Sequence, residues 1–222
     1  FGKWWNFSQD SYEGNFLNGR MNGIGRMIWS SSSSNKQKQQ AENEENEDHP
    51  HHHQRYEGEF CNNEPHGAGS KWFPNKVIRG RFENGKCCDL ENGSIEYFAK
   101  IFTDKPKSSS PSFYYSTDEV VEVYTGGIFN DKRHGTGEMK YQNGDSYYGE
   151  FQSDMRHGVG MLTNHNHGNR EEGSSSSSSV VVVYEGRFIH DVPQGPCTVR
   201  NSASNSVLVG SAVSISSSSK AY

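Results

Sequence analysis

The segment YTGGIFNDKRHGTGEMKYQNGDSYYGEF, residues 124–151, shows the recurring pattern of this chain in its most regular form. It opens with Tyr-x-Gly-x-Ile, a variant of Tyr-x-Gly-x-Phe, and Gly-x-Gly follows eleven residues after the tyrosine. The pentapeptide begins five times, at Tyr12, Tyr56, Tyr124, Tyr147 and Tyr184. The step from Tyr124 to Tyr147 is 23 residues, and a degenerate copy starts 22 residues after Tyr56. Periods of this length are typical of stacked repeat proteins.

Each repeat is predicted to form a β-hairpin. In Tyr12-x-Gly14-x-Phe16 the alternate residues lie on one face of a strand, because successive side chains of a strand point to opposite faces. The second half, Gly23-x-Gly25-x-Met27, follows the same alternation after a short polar turn. Glycine weakens a strand unless another group fills the space above it. We therefore expect an aromatic ring from the adjoining repeat to cover these glycines.

Stacked hairpins of this kind predict an all-β fold, an elongated single-layer antiparallel sheet held together by contacts between neighbouring repeats. Residues 1–222 are read as one array of about six or seven units. Longer gaps between copies coincide with polar, serine-rich tracts near residues 30–55, 104–117 and 164–179. These low-complexity insertions are predicted to be flexible loops between repeats, because they hold too little apolar area to offset the entropy of ordering.

Composition excludes several functional classes. A net charge of −5 gives no broad basic surface, so nucleic acid is not an expected partner. The longest aliphatic run is residues 180–183, far short of a membrane-spanning helix. The four cysteines include no Cys-x-x-Cys pair, which favours a reducing, cytoplasmic compartment.

The pattern Tyr-x-Gly-x-Phe, polar turn, His-Gly-x-Gly-x-Met-x-Tyr-x-Asn-Gly-Asp resembles the MORN repeat (membrane occupation and recognition nexus), with residues 124–151 as its best copy. The chain departs from the pattern near residues 87–100 and at Cys197, which replaces a glycine. The resemblance, in particular to MORN scaffolds of radial spoke heads and other ciliary assemblies, implies a scaffold without catalytic activity or cofactor. It further implies a location in the cytoskeleton of the cilium or flagellum, with protein subunits of the axoneme as partners.

The candidate partner-binding site is the aromatic groove that a one-layer sheet leaves open, and a helix or peptide of another subunit is its expected occupant. The groove residues are Tyr12, Phe16, Trp29, Tyr56, Phe60, Trp72, Tyr124, Tyr141, Tyr147, Phe151, Tyr184 and Phe188. The alternative function is a membrane-proximal adaptor that binds anionic phospholipids or positions a lipid-modifying enzyme. Its candidate contacts are the hairpin-tip cations Lys132, Arg133 and Arg156.

Other polar residues are interpreted as structural. His66, His134 and His157 recur before Gly-x-Gly, where Asn22 and Gln194 replace them in other repeats, so a turn-stabilising role is predicted. The histidines at 49 and 51–53 could chelate a metal, but a polar insertion offers no preorganised geometry. No Gly-x-Ser-x-Gly elbow supports a serine nucleophile. The sequence thus predicts no catalytic residue, no metal and no cofactor.

Overall fold

The computed structural model describes residues 1–30, 54–102, 113–166 and 180–212, and every regular element in those ranges is a β-strand. The three predicted insertions fall largely outside the described residues. Their described ends belong to strands: β4 begins at Gln54, β9 begins at Phe113 and β12 ends at Asn166.

The described strands join in one open antiparallel sheet. Their bounds are β1 Gly2–Trp5, β2 Ser11–Leu17, β3 Arg20–Trp29, β4 Gln54–Cys61, β5 Glu64–Phe73, β6 Lys76–Glu83, β7 Lys86–Cys87, β8 Gly93–Phe102, β9 Phe113–Phe129, β10 Lys132–Lys140, β11 Ser146–Gln152, β12 Met155–Asn166, β13 Val180–Ile189, β14 Val192–Asn201 and β15 Ser206–Ala212. The predicted all-β sheet of stacked hairpins is confirmed.

The chain divides into two compact units. Unit 1 comprises residues 1–123 and 128–131, and in it β1 to β6 pair consecutively. The departure near residues 87–100 appears here as a change of pairing, because β6 pairs with both the two-residue β7 and β8. Unit 2 comprises residues 124–127 and 132–222, and in it β10 to β15 pair consecutively.

The hairpins close with two-residue turns whose residues both have positive φ, as at Ser153 (51°) and Asp154 (73°) between β11 and β12. Positive φ at both central residues defines the type I′ turn, whose twist matches that of paired strands. Asn and Asp tolerate this conformation better than other residues that have a side chain. That preference explains the polar dipeptides at the tips and places an Asp side chain beside the preceding hairpin.

Replacing residues 31–53 with Asn-Gly is expected to leave the fold intact and to leave stability unchanged or slightly raised. Trp29 and Gln54 are direct register partners, so the intervening chain closes a loop between adjacent positions of β3 and β4. Shortening such a loop removes closure entropy, about 0.6 kcal/mol for each halving of length. Urea unfolding of both proteins measures the difference. A replacement that unfolds the chain would show that residues 31–53 are structural.

Candidate functional site: two faces of one sheet

One face of the sheet is covered by tyrosine rings that lie on pairs of glycines. In unit 2, Tyr147 covers Gly149 and Gly160, which are register partners on β11 and β12. A Cβ added to Gly160 would lie 2.5 Å from Tyr147 Cζ. The tyrosine hydroxyl donates a hydrogen bond of 3.1 Å to the carbonyl oxygen of Glu150. This face is called the stacked face below.

The expectation that an adjoining repeat supplies the covering ring was wrong. Tyr12 covers Gly25, and Tyr124 covers Gly137, each within one repeat. The reason is geometric: the tyrosine and the glycine two residues later share a face, and that glycine is paired with the glycine of the next strand. The ring therefore lies over its own hairpin.

The adjoining repeat contributes a phenylalanine instead. In unit 1, Tyr12 meets Phe60 of the next repeat edge to face, with ring centroids 4.9 Å apart, and Tyr56 meets Phe82 in the same way. In unit 2 the corresponding distance from Tyr147 to Phe188 is 5.1 Å. Such pairs contribute about 0.5–1.5 kcal/mol each beyond the burial of their area. They join consecutive hairpins into a continuous row within each unit.

Most of the predicted groove residues are buried in this row of ring contacts. Seven are buried: Tyr12, Tyr56, Phe60, Tyr124, Tyr147, Phe151 and Phe188. Phe16 is exposed, and Trp29, Trp72, Tyr141 and Tyr184 are half-buried. Burial raises the pKa of Tyr147 to about 12 and also raises the pKa of Tyr56. The seven buried rings hold the sheet together and have almost no surface left for a partner.

Two of the three predicted tip cations are paired with the turn of the next hairpin. Arg133 Nε lies 3.4 Å from Asp154 Oδ1, and Arg156 Nε lies 3.0 Å from Asp191 Oδ1. Each aspartate also accepts the backbone N–H of its arginine, at 2.9 Å in both cases. Lys132 is exposed. The role of these aspartates is hard to recognise from the sequence because each partner lies one repeat away, although Asp recurs at the second turn position.

Unit 1 contains a variant of these contacts between hairpin turns. Asp131 accepts the N–H of Cys87 at 2.7 Å and also binds the ammonium of Lys71 at 3.2 Å. Lys71 is a buried charged residue at the repeat position that Met27 and Met139 occupy elsewhere. Its ammonium donates a second hydrogen bond, 2.8 Å, to the carbonyl oxygen of Gly85. Burial also raises the pKa of the Cys87 thiol to about 12, which makes it an unreactive apolar filler at neutral pH.

The opposite face, called the open face below, differs between the units. In unit 1 it carries ion pairs, Lys3 with Glu13 (3.2 Å) and Arg26 with Glu57 (3.2 Å). Trp5 and Ile24 are exposed apolar residues on the same face of unit 1. In unit 2 the same face carries exposed apolar side chains: Tyr148, Val159 and Met161. This group was not among the predicted site residues, because only one tyrosine of the Tyr147–Tyr148 pair fits the repeat.

The described residues hold no group of three or more His, Cys, Asp or Glu side chains placed to bind a metal ion. His66 is exposed, and His134 and His157 are half-buried. The histidines at 49 and 51–53 lie outside the described residues. Among the described elements, no helix is long and apolar enough to cross a membrane.

Part of the chain is similar to alsin. The similarity to alsin of Rattus norvegicus is 33% identity over 108 residues, which is 48% of this chain and 6% of alsin. For alsin of Homo sapiens it is 32% identity over 108 residues, 48% of this chain and 5% of alsin. The matched region therefore spans only a small part of these curated relatives.

The profile of the MORN repeat matches residues 12–34, 56–77, 124–146, 147–168 and 184–200. These matches begin at the five tyrosines that open the repeats, and the hairpins and tyrosine–glycine contacts recur from the same positions. The resemblance inferred from the sequence is thus confirmed for the repeats, and the chain carries five segments of the MORN repeat type.

Proposed function

We propose that this chain is a non-enzymatic scaffold that binds protein subunits of a larger cytoskeletal assembly. MORN repeats imply a protein-interaction or membrane-association module, and the repeat is non-catalytic. The observation that carries the proposal is the contrast between the faces in unit 2. On the stacked face the rings are buried within the fold, whereas Tyr148 and Val159 on the open face are 56% and 64% exposed. Exposed apolar groups of this kind mark sites of protein contact.

The assembly that we propose is ciliary, with the axoneme and its radial spokes as the location and axonemal proteins as partners. Support comes from the MORN repeats of this chain, a repeat type that is also known in radial spoke heads, which is an argument by analogy of repeat type. Detergent fractionation of the native cell, with the full-length tagged protein, tests it. Retention in the axoneme together with radial spoke proteins on affinity purification is the expected result. A freely soluble protein without stable partners would overturn the scaffold proposal.

The alternative is an adaptor that binds anionic lipid. Each basic residue near a membrane contributes about 1 kcal/mol when its charge is available. Arg133 and Arg156 are instead paired with Asp154 and Asp191, so each pair carries no net charge. The described hairpin tips therefore favour the protein-binding function.

Flotation with phosphoinositide vesicles at physiological salt is expected to leave most of the protein unbound. The same weak binding is expected for a variant with Lys132→Glu, Arg133→Gln and Arg156→Gln, because two of these cations are already neutralised by aspartates. Vesicles of neutral lipid are the control. Strong binding that requires phosphoinositide and is lost in the variant would establish the membrane function.

A further inference from the structure

The open face of unit 2 contains a compact apolar cluster formed by Tyr148, Val159 and Met161. Their exposed fractions are 56%, 64% and 41%. Tyr148 on β11 is the direct register partner of Met161 on β12, and Val159 lies two residues before Met161 on the same face. Tyrosine and methionine are enriched in the cores of protein interfaces.

The repeat itself does not require apolar residues at the positions of Tyr148 and Met161. The residues equivalent to Tyr148 in other repeats are Glu13, Glu57, Thr125 and Glu185, and those equivalent to Met161 are Arg26, Ser70, Glu138 and Thr198. These polar residues lie in strands of the same kind. The apolar pair is therefore a feature of the surface and not of the hairpin.

Acidic residues flank the cluster on the neighbouring strands. Glu138 on β10 is the register partner of Tyr148, and Glu185 on β13 is the register partner of Met161. Each glutamate has an exposed ion pair with a cation: Lys140 Nζ lies 3.5 Å from Glu138, and an Arg200 nitrogen lies 3.8 Å from Glu185. Exposed pairs of this kind contribute little, so a basic partner can replace them at small cost.

We infer that this surface binds an amphipathic helix of a partner protein, in which two apolar side chains are flanked by Lys or Arg. The inference rests on the proposed function and names the class of segment that the scaffold binds. The apolar side chains pack on Tyr148 and Met161, and the basic side chains pair with Glu138 and Glu185.

The spacing of the four groups fits a helix that crosses the strands. Neighbouring strands lie about 4.8 Å apart, so the row from Glu138 to Glu185 spans about 14 Å. Helix residues i, i+3, i+7 and i+10 lie on one face and span about 15 Å, because the rise is about 1.5 Å per residue. Same-face residues of an extended peptide are about 6.7 Å apart, so four of them span about 20 Å and miss the row.

The test uses a synthetic helical peptide with the pattern Lys-x2-Leu-x3-Leu-x2-Lys and measures its binding to the full 222-residue chain by fluorescence anisotropy. The expected result is saturable binding that weakens at high salt. The double variant Tyr148→Ser, Met161→Ser should weaken it at least tenfold. Replacing the two lysines of the peptide with glutamate, or breaking its helix with a central proline, should have an effect of the same size.

Ile24→Ser is the matched control, because Ile24 is 62% exposed at the repeat position of Val159 but lies in unit 1. It should bind the peptide as the wild type does, and unchanged unfolding curves show that each variant is folded. Equal binding by the double variant, by the acidic peptide or by the proline peptide would overturn the inference, as would no binding at all. Such a failure leaves the fractionation test of the scaffold unaffected, so the two proposals fail separately.

Discussion

Tyr147→Ala is expected to lower the free energy of unfolding of unit 2 by about 3–5 kcal/mol, the range for removing a large ring from a core. Tyr147 is fully buried, and its ring contacts both Phe151 and Phe188 edge to face. Its ring covers Gly149 and Gly160, which have no side chains to fill the space that the ring would leave. The substitution therefore leaves a cavity on the stacked face and removes the hydroxyl bond to Glu150.

Two other tyrosines calibrate this result. Tyr184→Ala should cost less, because Tyr184 is half-buried and its hydroxyl bond to Arg187 is long, 3.4 Å. Tyr148→Ala should change stability by no more than about 0.5 kcal/mol, as is usual for a surface substitution. Urea unfolding followed by circular dichroism, with tyrosine fluorescence as a second signal, measures all three, because the four tryptophans all lie in unit 1. Equal losses at 147 and 148 would contradict the assignment of faces.

Gly137→Val is expected to destabilise unit 2 by about 1–3 kcal/mol, the usual cost of overpacking. A Cβ at this position would lie 2.5 Å from Tyr124 Cε2 and 2.6 Å from its Cζ. Tyr124 is fully buried and donates a hydrogen bond of 2.7 Å to the carbonyl oxygen of Gly127, so its ring cannot move aside without breaking that bond.

Gly210→Val is the control for this glycine. Gly210 also lies in a strand, β15, but a Cβ there meets no atom within 4 Å. Valine favours strands, so the control should be neutral or stabilising. Thermal unfolding of the two variants under identical conditions gives the comparison. A Gly137→Val protein that melts with the wild type would show that the tyrosine does not lie on this glycine.

The fold was predictable from the sequence because its information is local and repeated. The spacing of Tyr12, Gly14 and Phe16 determines which residues share a face, and five copies exclude coincidence. The type of each element and the stacking of hairpins follow from that period. The sequence did not reveal which repeat supplies the ring over each glycine, since both arrangements have the same alternation. The strand register, such as the pairing of Gly149 with Gly160, shows that each ring lies over the glycines of its own repeat.

The candidate site was harder to predict for a physical reason. Aromatic residues serve both as core and as binding surface, and the sequence does not state which face of a one-layer sheet is covered. The groove prediction therefore included rings such as Tyr56 and Phe60, which are buried. The ion pairs of the tip cations were not predicted either, because Asp154 and Asp191 pair with arginines of the preceding hairpin. Tyr148 differs from the repeat pattern, and that departure was the available signal.

The adjacent residues Tyr147 and Tyr148 allow the most direct test of the central claim, that one face of the sheet is sealed by rings and the other is open. Nitration of the folded chain by tetranitromethane, which attacks the phenolate, can be mapped by mass spectrometry of the peptide that contains both. Burial and a raised pKa protect Tyr147, whereas Tyr148 is 56% exposed. The expected product carries the nitro group on Tyr148 alone, with Tyr147 reacting only in denaturant. Equal nitration of both tyrosines in the folded chain, or protection of Tyr148 in place of Tyr147, would contradict the account.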